Sequence, residues 1–395
     1  MRIALDVRPA LTKNSRRRGI GKYTIELAKA LLANAEQRHE FLLYGCGPER
    51  LELSQESGEG RHGYRSVFRL ARPSRLAWLP DRIVLPRLLS KDRIDIYHSN
   101  DIASIVFHKR TRTVVTVHDL IPLIFWKEMS PAIPIDYAFA LRQGFRRAAK
   151  CDLIITDSEQ SRSDICGRLR VPRERVKVVF PGCSPSFRPR DREGARERLR
   201  ERYGIRTRFL LYVGGSDFRK NLSVLVEAFR DILRTGYDGS LVMVGETFHW
   251  DIGETRRLRD QIAQRGIGDR VLFPGYVGDE DLPDFYSACD MFVFPSLYEG
   301  FGLPVVEALA CGAIALVTRC SAVPEVAGDA AEYFDPRDAR NIVQAFSALF
   351  HSPQRQSELR EKGPAQAGRF SWDQAARQIL ALYDELTEAG PTRGR

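Results

Sequence analysis

The sequence predicts an α/β protein with two doubly wound domains in tandem. Three observations support this prediction. The chain has 395 residues, which is more than one hydrophobic core usually organises. Short apolar, β-branched segments alternate with amphipathic helical patterns, as in parallel sheets. The alternation is interrupted once, at a stretch rich in proline, arginine and glutamate over residues 181–208, and then restarts.

The first half contains a series of short strand patterns, several of which end in polar residues. They lie at residues 2–7, 40–44, 94–98, 113–118, 153–157 and 176–180. A helix is expected at residues 23–32, after the polar loop that follows the first strand, because apolar side chains recur there with helical spacing. We therefore predict an N-terminal Rossmann-like domain over residues 1–185, on the acceptor side.

The second half repeats the alternation and predicts a C-terminal, nucleotide-binding Rossmann-like domain over residues 186–370. Its strands are expected at 209–213, 240–244, 271–273, 291–294 and 313–317, and its helices at 222–233, from 254 onward, at 281–288 and at 304–310. Residues 371–395 should form a closing helix that packs back on the N-terminal domain, followed by a frayed tail. Ligands bind beyond the carboxyl ends of such strands, so we expect a cleft between the domains.

Composition excludes several classes of protein. The chain is 43% hydrophobic and 28% charged, and no apolar run approaches the roughly 18 residues of a membrane span. The N-terminus lacks the apolar core of a signal peptide, so a cytoplasmic protein is expected. The seven cysteines are scattered without a C-x-x-C pair, which favours reduced thiols over disulfides or a zinc site.

Charge is distributed unevenly along the chain. Residues 1–190 contain 35 Lys and Arg against 20 Asp and Glu (+15), and residues 191–395 contain 26 against 31 (−5), which together give the total of +10. A basic half indicates an anionic partner such as a membrane surface, a phosphorylated acceptor or nucleic acid. A general preference for arginine at the surface would produce the same bias.

The most informative segment is residues 295–312, PSLYEGFGLPVVEALACG. A strand pattern, a glycine turn and a helix start follow one another, an arrangement that offers backbone N–H groups to a phosphate. Gly300 and Gly302 allow close approach of a ligand, and Pro304 suits the first helical turn. Glu299 precedes the turn, and Glu307 is expected in the first turn of the helix. Two carboxylates beside an anion site predict a nucleotide-sugar site, although acids at a helix start also favour its dipole.

Two basic residues, Arg219 and Lys220, follow the strand predicted at 209–213. Cations in such a loop can bind a diphosphate and stabilise the charge that develops on a leaving phosphate. They would replace a metal ion, and neither a metal nor another cofactor is predicted. A solvated loop is the alternative reading of this pair.

Other candidates lie in the first half. His118 ends a β-branched strand, where it is either a site residue or a structural histidine. Gly19 and Gly21 open a helix, as a phosphate-binding turn does, and follow Arg16–Arg18, which could meet an acceptor diphosphate. Residues 64–91 mix arginine with apolar residues, which is typical of a membrane surface segment or of a core-facing one, and prolines 73, 80 and 86 should interrupt any long helix. Residues 157–159 are interpreted as a helix cap and a weak acceptor-side candidate.

The run E-G-F-G-L-P-x-x-E from Glu299 to Glu307 resembles the E-x7-E signature of retaining glycosyltransferases of family 4, which have the GT-B fold. Residues 212–221 resemble the phosphate-contacting loop of that family, residues 275–277 with Tyr286 its base-bordering loop, and residues 116–119 the segment that supplies an active-site histidine. The resemblance implies catalytic roles for His118, Arg219, Lys220 and Glu299, and donor contacts from Gly19, Gly21, Gly215, Tyr276, Val277, Gly300, Phe301, Gly302, Leu303 and Glu307.

The same resemblance implies metal-independent, retaining transfer of a hexose from a nucleotide diphosphate sugar to a glycan or a polyprenyl-diphosphate-linked oligosaccharide. The runs S-D-F-R-K-N and V-H-D-L-I-P-L are most similar to mannosyltransferases that use GDP-mannose in exopolysaccharide or O-antigen synthesis, with possible peripheral contact to an anionic membrane. UDP-glucose, UDP-GlcNAc and dTDP-rhamnose remain alternative donors. A nucleotide-sugar epimerase and a polyanion-binding protein fit less well, and no nucleic-acid-binding motif is present.

Overall fold

A computed structural model describes residues 1–12, 19–46, 62–67, 78–129, 134–249 and 253–388. The chain divides into two compact units. The first unit comprises Met1–Gly182 and Ser371–Arg395, and the second comprises Cys183–Phe370. Each unit is built on one parallel sheet with helices along the chain between the strands, which confirms the predicted α/β class with two doubly wound parts.

The sheet of the first unit has seven described strands, all parallel to their neighbours. They are β1 (Arg2–Asp6), β2 (Glu40–Gly45), β3 (His62–Ser66), β4 (Ile96–Ser99), β5 (Arg112–Thr116), β6 (Leu153–Thr156) and β7 (Val176–Val178). Their order in the sheet is β3-β2-β1-β4-β5-β6-β7. The chain builds outward from β1 in one direction and then returns to build in the other, so the strand order reverses between β1 and β4.

Seven described α-helices accompany this sheet in the first 182 residues. They are α1 (Arg8–Leu11), α2 (Gly19–Asn34), α3 (Trp78–Lys91), α4 (Ile121–Ile124), α5 (Trp126–Met129), α6 (Ile135–Ala148) and α7 (Glu159–Leu169). The N-terminus of α7 is capped by Ser158, whose Oγ accepts a hydrogen bond from the Ser161 N–H at 3.0 Å. The helix cap predicted at this strand end is therefore present.

Helix α3 corrects one expectation, because prolines 80 and 86 do not stop it. The helix spans 14 residues with Pro86 in its interior. A proline there removes one backbone hydrogen bond and costs about 3 kcal/mol. Leu85 and Leu89 on this helix are 0% and 1% exposed and belong to a hydrophobic cluster with β2 and β4. Burial of these leucines offsets the proline. Residues 68–77 of the same basic and apolar segment, and Arg16–Arg18, lie outside the described residues.

The sheet of the second unit has six described strands, again all parallel. They are β8 (Phe209–Val213), β9 (Ser240–Val244), β10 (Val271–Gly275), β11 (Met291–Phe294), β12 (Ala315–Thr318) and β13 (Ala331–Phe334). The order is β10-β9-β8-β11-β12-β13, so it reverses between β8 and β11. In open α/β sheets this reversal is the point where ligands bind.

The remaining helices complete the two units. They are α8 (Arg192–Tyr203), α9 (Leu222–Arg234), α10 (Gly253–Gln264), α11 (Leu282–Ala288), α12 (Leu303–Ala310), α13 (Val323–Ala327), α14 (Ala339–Phe350), α15 (Pro353–Ala367) and α16 (Trp372–Glu388). Helix α16 belongs to the first unit and packs on α2. Its Ile379 and Tyr383 are completely buried in the same cluster as Leu27 and Leu31.

The central strands of both sheets are buried on both faces, as parallel sheets require. All five residues of β8 and all four residues of β11 are buried. Across the described parts of the chain, we find no helix with the length and apolarity needed to cross a bilayer.

Candidate functional site

The loops that follow β8 and β11 lie side by side at the carboxyl edge of the second sheet. The two strands pair directly, with Leu210 opposite Met291 and Leu211 opposite Phe292. The strand order reverses between them. The loop after β8 contains the predicted pair Arg219 and Lys220, and residues 295–302 form the loop after β11. The topology therefore brings together two motifs that lie about eighty residues apart in the sequence.

One backbone hydrogen bond and the side chain of one asparagine hold these two loops together. The Leu297 N–H donates to the Arg219 carbonyl at 2.7 Å. Asn221 has a left-handed conformation with φ of 58°, and its side-chain amide donates to the carbonyls of Pro295 at 3.2 Å and Pro336 at 2.6 Å. These bonds fix the loop backbone from which Arg219 and Lys220 project.

The carboxylate of Glu299 is the centre of the site. Its Oε1 accepts a hydrogen bond from the Lys220 Nζ at 2.6 Å and another from the Ser296 Oγ. Its Oε2 accepts one from the Arg219 Nη1 at 3.2 Å. Glu299 is 7% and Lys220 is 8% exposed, so this ion pair is nearly removed from solvent. Three residues predicted to be catalytic thus form one hydrogen-bonded cluster, the Glu299 cluster (Arg219, Lys220, Ser296 and Glu299).

Charges around this cluster balance. Arg219 also pairs with Asp217, with the Nε at 2.9 Å from the Oδ1, so two cations face two carboxylates. Burial alone would raise the pKa of Glu299, but the charges of Lys220 and Arg219 and their hydrogen bonds outweigh it and hold the pKa below its ordinary value. The Nζ of Lys220 also lies 5.2 Å from the centre of the Phe294 ring, a cation–π distance. Glu299 is therefore ionised at neutral pH.

The glycine turn ends at Gly302, which is the N-cap of α12. Its φ is 105°, a conformation that favours glycine because a Cβ would be strained there. Gly300 is buried, and the Phe301 ring makes an edge-to-face contact with Phe370 at 5.4 Å between centroids. Leu303 begins α12. The positive end of this helix dipole lies directly after the turn, as expected for an anion site.

Glu307 lies one residue beyond the first turn of α12, which corrects the expected position. The helix begins at Leu303 and has no acidic residue in its first turn. Glu307 is 6% exposed, and its Oε2 accepts a hydrogen bond from the Tyr286 hydroxyl at 3.1 Å. Tyr286 itself is completely buried. The Tyr286 hydroxyl thus orients the Glu307 carboxylate, and the position of this tyrosine near the base stays a prediction.

Further predicted donor contacts lie at the ends of β8 and β10. The Gly215 carbonyl accepts a hydrogen bond from the Tyr212 hydroxyl at 2.7 Å. After β10, Tyr276 is 46% exposed whereas Val277 is 5% exposed. Tyr276 therefore presents an aromatic surface to solvent, and Val277 anchors the loop that carries it.

In the first unit, His118 follows β5 and Asp157 follows β6. These strands are neighbours, and their register places Thr116 opposite Ile155, so the two side chains leave the same edge. The His118 Nδ1 lies 2.7 Å from the Asp157 Oδ2. Sequence reasoning interpreted Asp157 as part of a cap and missed this pairing. The sequence signal for this pairing was only that each of the two residues follows a buried strand.

Each member of this pair keeps one buried atom without a partner. Among the described residues, no hydrogen-bond partner reaches the His118 Nε2 or the Asp157 Oδ1. The Tyr23 ring packs edge-on against the imidazole at 4.6 Å. Burial tends to lower the pKa of His118, but the charge of Asp157 and its hydrogen bond outweigh this effect and raise the pKa above the ordinary value. The His118–Asp157 pair can therefore exchange a hydrogen bond with a ligand.

Gly19 and Gly21 both lie within α2, which begins at Gly19. The helix start agrees with the sequence prediction. A Cβ at Gly19 would meet no atom within 4 Å, and Gly21 is buried within the helix. The residues that lead into this helix lie outside the described residues, so a phosphate-binding role for these glycines stays a prediction. Within the described ranges, no group of three or more His, Cys, Asp or Glu side chains could hold a metal ion.

Comparison with known proteins gives consistent matches over both halves. Residues 17–187 match the family model described as "Glycosyltransferase Family 4" and residues 195–366 the one described as "Glycosyl transferases group 1". The chain is 30% identical to O-antigen chain mannosyltransferase B of Escherichia coli over 389 residues, which cover 93% of this chain and 96% of that protein. It is also 27% identical to the serotype-specific mannosyltransferase WbdA of Escherichia coli over 98% of this chain, but it spans only 48% of WbdA.

Among solved structures, the sucrose-phosphate synthase of Thermosynechococcus elongatus superimposes with a TM-score of 0.78 at 21% identity, over 99% of this chain and 100% of that one. This similarity concerns the fold. Together with the two family matches, it confirms the predicted GT-B class with two Rossmann-like units.

Proposed function

This chain belongs to the family 4 and group 1 glycosyltransferases, and we propose that it transfers a mannosyl group from GDP-mannose to a hydroxyl of a glycan acceptor. The observation that carries the proposal is the buried Glu299 carboxylate, shared by Lys220 and Arg219 where the strand order reverses. The choice of mannose is supported by the similarity to an O-antigen chain mannosyltransferase over nearly the whole chain.

The donor diphosphate binds beside Lys220 and Arg219 and at the N-terminal end of α12. Lysine offers three hydrogen-bond donors, of which Lys220 gives one to Glu299, and Arg219 adds a second positive charge beside it. The Glu299 cluster and Asp217 are neutral together, and a diphosphate adds negative charge. The dipole at the N-terminus of α12, after Gly302, supplies further stabilisation for that charge.

The second carboxylate, Glu307, holds the ribose of the nucleotide. A carboxylate that accepts hydrogen bonds from two neighbouring hydroxyls is well suited to a ribose. The Tyr286 hydroxyl occupies one acceptor position of Glu307 at 3.1 Å and fixes the orientation of the carboxylate. A carboxylate has about four lone-pair sites on its two oxygens, so it can accept hydrogen bonds from more than one hydroxyl.

Transfer proceeds with retention of the α-configuration. The bond between the sugar C1 and the β-phosphate oxygen breaks, and its electron pair stays on the phosphate, whose charge Lys220 and Arg219 stabilise. The acceptor hydroxyl attacks C1 from the same face, and its proton passes to the leaving phosphate oxygen. The ionised Glu299 stabilises positive charge on the sugar ring. It does not form a covalent intermediate, which distinguishes the reaction from that of a retaining glycosidase.

His118 contributes a hydrogen bond to a sugar hydroxyl. When Nδ1 donates to Asp157, Nε2 accepts a hydrogen bond in the neutral imidazole and donates one in the imidazolium. This atom is buried and without a partner among the described residues, so a ligand hydroxyl would satisfy it. The acceptor itself is a glycan or a polyprenyl-diphosphate-linked oligosaccharide of O-antigen or exopolysaccharide synthesis, a class supported by the O-antigen relative.

The proposal is tested by measuring slow hydrolysis of nucleotide sugars by the purified protein. GDP-mannose, UDP-glucose, UDP-GlcNAc and dTDP-rhamnose are compared at equal concentration, with the Glu299→Gln variant as the blank. We expect GDP-mannose to be hydrolysed at least about tenfold faster than the others, which corresponds to about 1.4 kcal/mol of discrimination. A preference for another sugar would overturn the choice of mannose, and no turnover of any donor would overturn the proposed reaction.

A further inference from the structure

Tyr23 on α2 is a buried aromatic residue that packs against the imidazole of His118. It is 3% exposed, and its ring meets the His118 ring edge-on, with 4.6 Å between the centroids and 81° between the planes. Burial and then the charge of Asp157 raise the pKa of the Tyr23 hydroxyl, and an interaction with the Thr116 side chain opposes the rise. Tyr23 therefore borders the His118–Asp157 pair with both its ring and its hydroxyl.

Tyr23 is in turn in contact with α16, the closing helix of the first unit. The ring of Trp372, the first residue of that helix, lies edge-on to the Tyr23 ring, with 5.4 Å between centroids. A Cβ added at Gly182 would lie only 2.1 Å from the Trp372 backbone nitrogen, so only glycine lets the chain pass this close. Trp372 is thus held from the Gly182 side and supports the ring of Tyr23.

A second contact of α16 reaches β5, the strand that leads to His118. The Nδ1 of His98 lies 2.5 Å from the Tyr383 hydroxyl, and its Nε2 lies 2.8 Å from the Thr116 Oγ1. Burial lowers the pKa of His98 to about 3, so the imidazole is neutral and has one donor and one acceptor nitrogen. Thr116 donates its hydroxyl proton to the Asn100 Oδ1. His98 therefore donates to Thr116 and accepts from Tyr383, which ties α16 to the end of β5.

These contacts restrain the His118 imidazole in a way that one hydrogen bond does not. An imidazole turns about two side-chain torsions. The contact of Nδ1 with the Asp157 Oδ2 at 2.7 Å restrains one ring atom, and the edge-on contact with Tyr23 restrains the plane of the ring. Together they fix the direction of Nε2, which is buried and has no partner among the described residues.

We propose that Tyr23 and Trp372 are positioning residues, which hold the imidazole of His118 so that its Nε2 faces the hydroxyl of a bound sugar. The inference rests on the function proposed above for His118 and adds α2 and α16 to the elements that build the site. Supporting side chains of this kind keep a site within the narrow geometry that catalysis needs.

The alternative is that the rings of Tyr23 and Trp372 only fill the hydrophobic core of the first unit, to whose largest cluster both belong. Loss of a core ring lowers stability wherever the ring lies. Loss of a positioning ring also changes the orientation of the imidazole. The two explanations therefore differ in what a smaller side chain does to His118.

The first measurement is nitrogen NMR of the His118 imidazole in the full-length protein, at a pH above its pKa. In the wild type we expect a single tautomer with the proton on Nδ1, beside Asp157. Tyr23→Leu should give a mixture of both tautomers, because the freed ring reaches other rotamers. Tyr23→Phe keeps the ring contact and should restore the single tautomer.

The second measurement separates turnover from nucleotide binding. In Tyr23→Leu, kcat for GDP-mannose hydrolysis should fall by about tenfold, as expected for the loss of one oriented hydrogen bond. Affinity for GDP should stay within about threefold, because the second unit is unchanged. Tyr23→Phe should restore kcat to within about twofold of the wild type. Trp372→Leu acts through Tyr23 and should lower kcat by about threefold, and it carries the test if Tyr23→Leu does not fold.

Phe41→Leu is the matched control for a loss of core packing. Phe41 is 1% exposed and belongs to the same cluster as Tyr23, but it lies on β2, which β1 and β4 separate from β5 in the sheet. This variant should lower the melting temperature as Tyr23→Leu does. Its His118 should keep the single tautomer, and its kcat should stay within about twofold of the wild type.

Two results would overturn the positioning role. One is a Tyr23→Leu variant that keeps both the single tautomer and its kcat. The other is a Phe41→Leu variant that loses both to the same extent, which would assign the effect to core packing. Failure of the proposed function is a different result, namely a wild type that turns over no nucleotide sugar. In that case the tautomer measurement alone decides whether Tyr23 holds the imidazole.

Discussion

Polar side chains lie at the carboxyl edges of both sheets, but the two edges differ in how fully the hydrogen bonds of these side chains are satisfied. In the second unit, both oxygens of Glu299 are hydrogen-bonded and the surrounding charges cancel. In the first unit, His118 and Asp157 bond to each other, and each keeps one buried atom without a partner among the described residues. At the edge of the second sheet, the polar side chains satisfy one another's hydrogen bonds. At the edge of the first sheet, two buried polar atoms lack a partner among the described residues.

We propose from this difference that the two edges contribute differently to the transfer reaction. A preorganised cluster of charges needs no rearrangement when charge develops on a leaving group, which is how electrostatic stabilisation lowers a barrier. An unsatisfied buried atom costs free energy until a ligand supplies its partner. The second unit is therefore suited to stabilising charge, and the first is suited to recognising a hydroxyl.

The largest effect is expected from Lys220→Met, which removes one partner of the buried ion pair with Glu299 in the second unit. Glu299 would keep Arg219 but lose its closest cation, and removing one partner of a buried ion pair costs about 3 kcal/mol of folding free energy. Activity should fall by about a thousandfold, because a donor to the leaving phosphate is lost as well. Urea unfolding and donor hydrolysis measure the two effects.

The pH dependence of stability gives a second measurement on this variant. In the wild type the pKa of Glu299 lies below its ordinary 4.5, so its contribution to stability is present above pH 4.5 and is lost as the pH falls through the lowered value. In Lys220→Met this loss should begin at a higher pH. Lys362→Met serves as the control, since Lys362 is 38% exposed and pairs with Asp329 at the surface, where a pair contributes less than about 1 kcal/mol. An equal loss of stability in both variants would contradict the comparison.

Asp157→Asn tests the first unit, because it removes the negative charge beside His118 at the carboxyl edge of that sheet. The pKa of His118 is raised in the wild type by the charge and hydrogen bond of Asp157. Its stabilising contribution is therefore complete below the ordinary value of 6.5 and is lost as the pH rises through the raised value. The asparagine keeps the shape but not the charge, so the pKa of His118 should fall, although the charges of Asp119 and Asp101 still raise it. NMR titration of the imidazole measures this shift.

Activity of Asp157→Asn should fall by about tenfold, with the lower pKa visible in its pH profile. Asp152→Asn is a suitable control, because Asp152 precedes the same strand at its other end and accepts a hydrogen bond from the Thr113 N–H at 2.8 Å. It should leave the titration of His118 unchanged. If Asp157→Asn leaves that titration unchanged too, the pair does not act as described.

The smallest effect is expected from Tyr286→Phe, which removes only the hydroxyl that orients Glu307. Nucleoside diphosphate affinity should weaken by about fivefold, since a typical hydrogen bond contributes roughly 1 kcal/mol. Calorimetric titration measures it. Tyr237→Phe is the matched control, because Tyr237 also has a buried hydroxyl that donates to a carboxylate, Asp290, at 2.9 Å. Asp290 precedes β11 and therefore lies at the end of that strand opposite the site. Weaker nucleotide binding in the control alone would argue against the role of Glu307.

The fold could be predicted from the sequence because apolar strands and amphipathic helices alternate strongly. The strand over 291–294 and the helix over 222–233, for example, lie where their patterns place them. The prolines of α3 misled the prediction, because burial of Leu85 and Leu89 is a tertiary effect that local propensity does not contain.

The site could be predicted only as separate motifs. Glu299 and Lys220 were each recognisable, but their ion pair depends on β8 and β11 being neighbours, and strand order is not a local property of the sequence. The same holds for Asp157, which pairs with His118 only because β5 and β6 are adjacent. Side-chain pairing across strands therefore required the structure.

The most direct test of the account is the steady-state kinetics of Glu299→Gln together with its affinity for the nucleoside diphosphate. We expect kcat for donor turnover to fall by about 100- to 1000-fold, with nucleotide affinity within about threefold of the wild type, because Glu307 and α12 remain intact. In Glu307→Gln, by comparison, nucleotide affinity should carry most of the loss. A Glu299→Gln variant that retains full kcat would contradict the claim that this buried carboxylate acts on the transferred sugar.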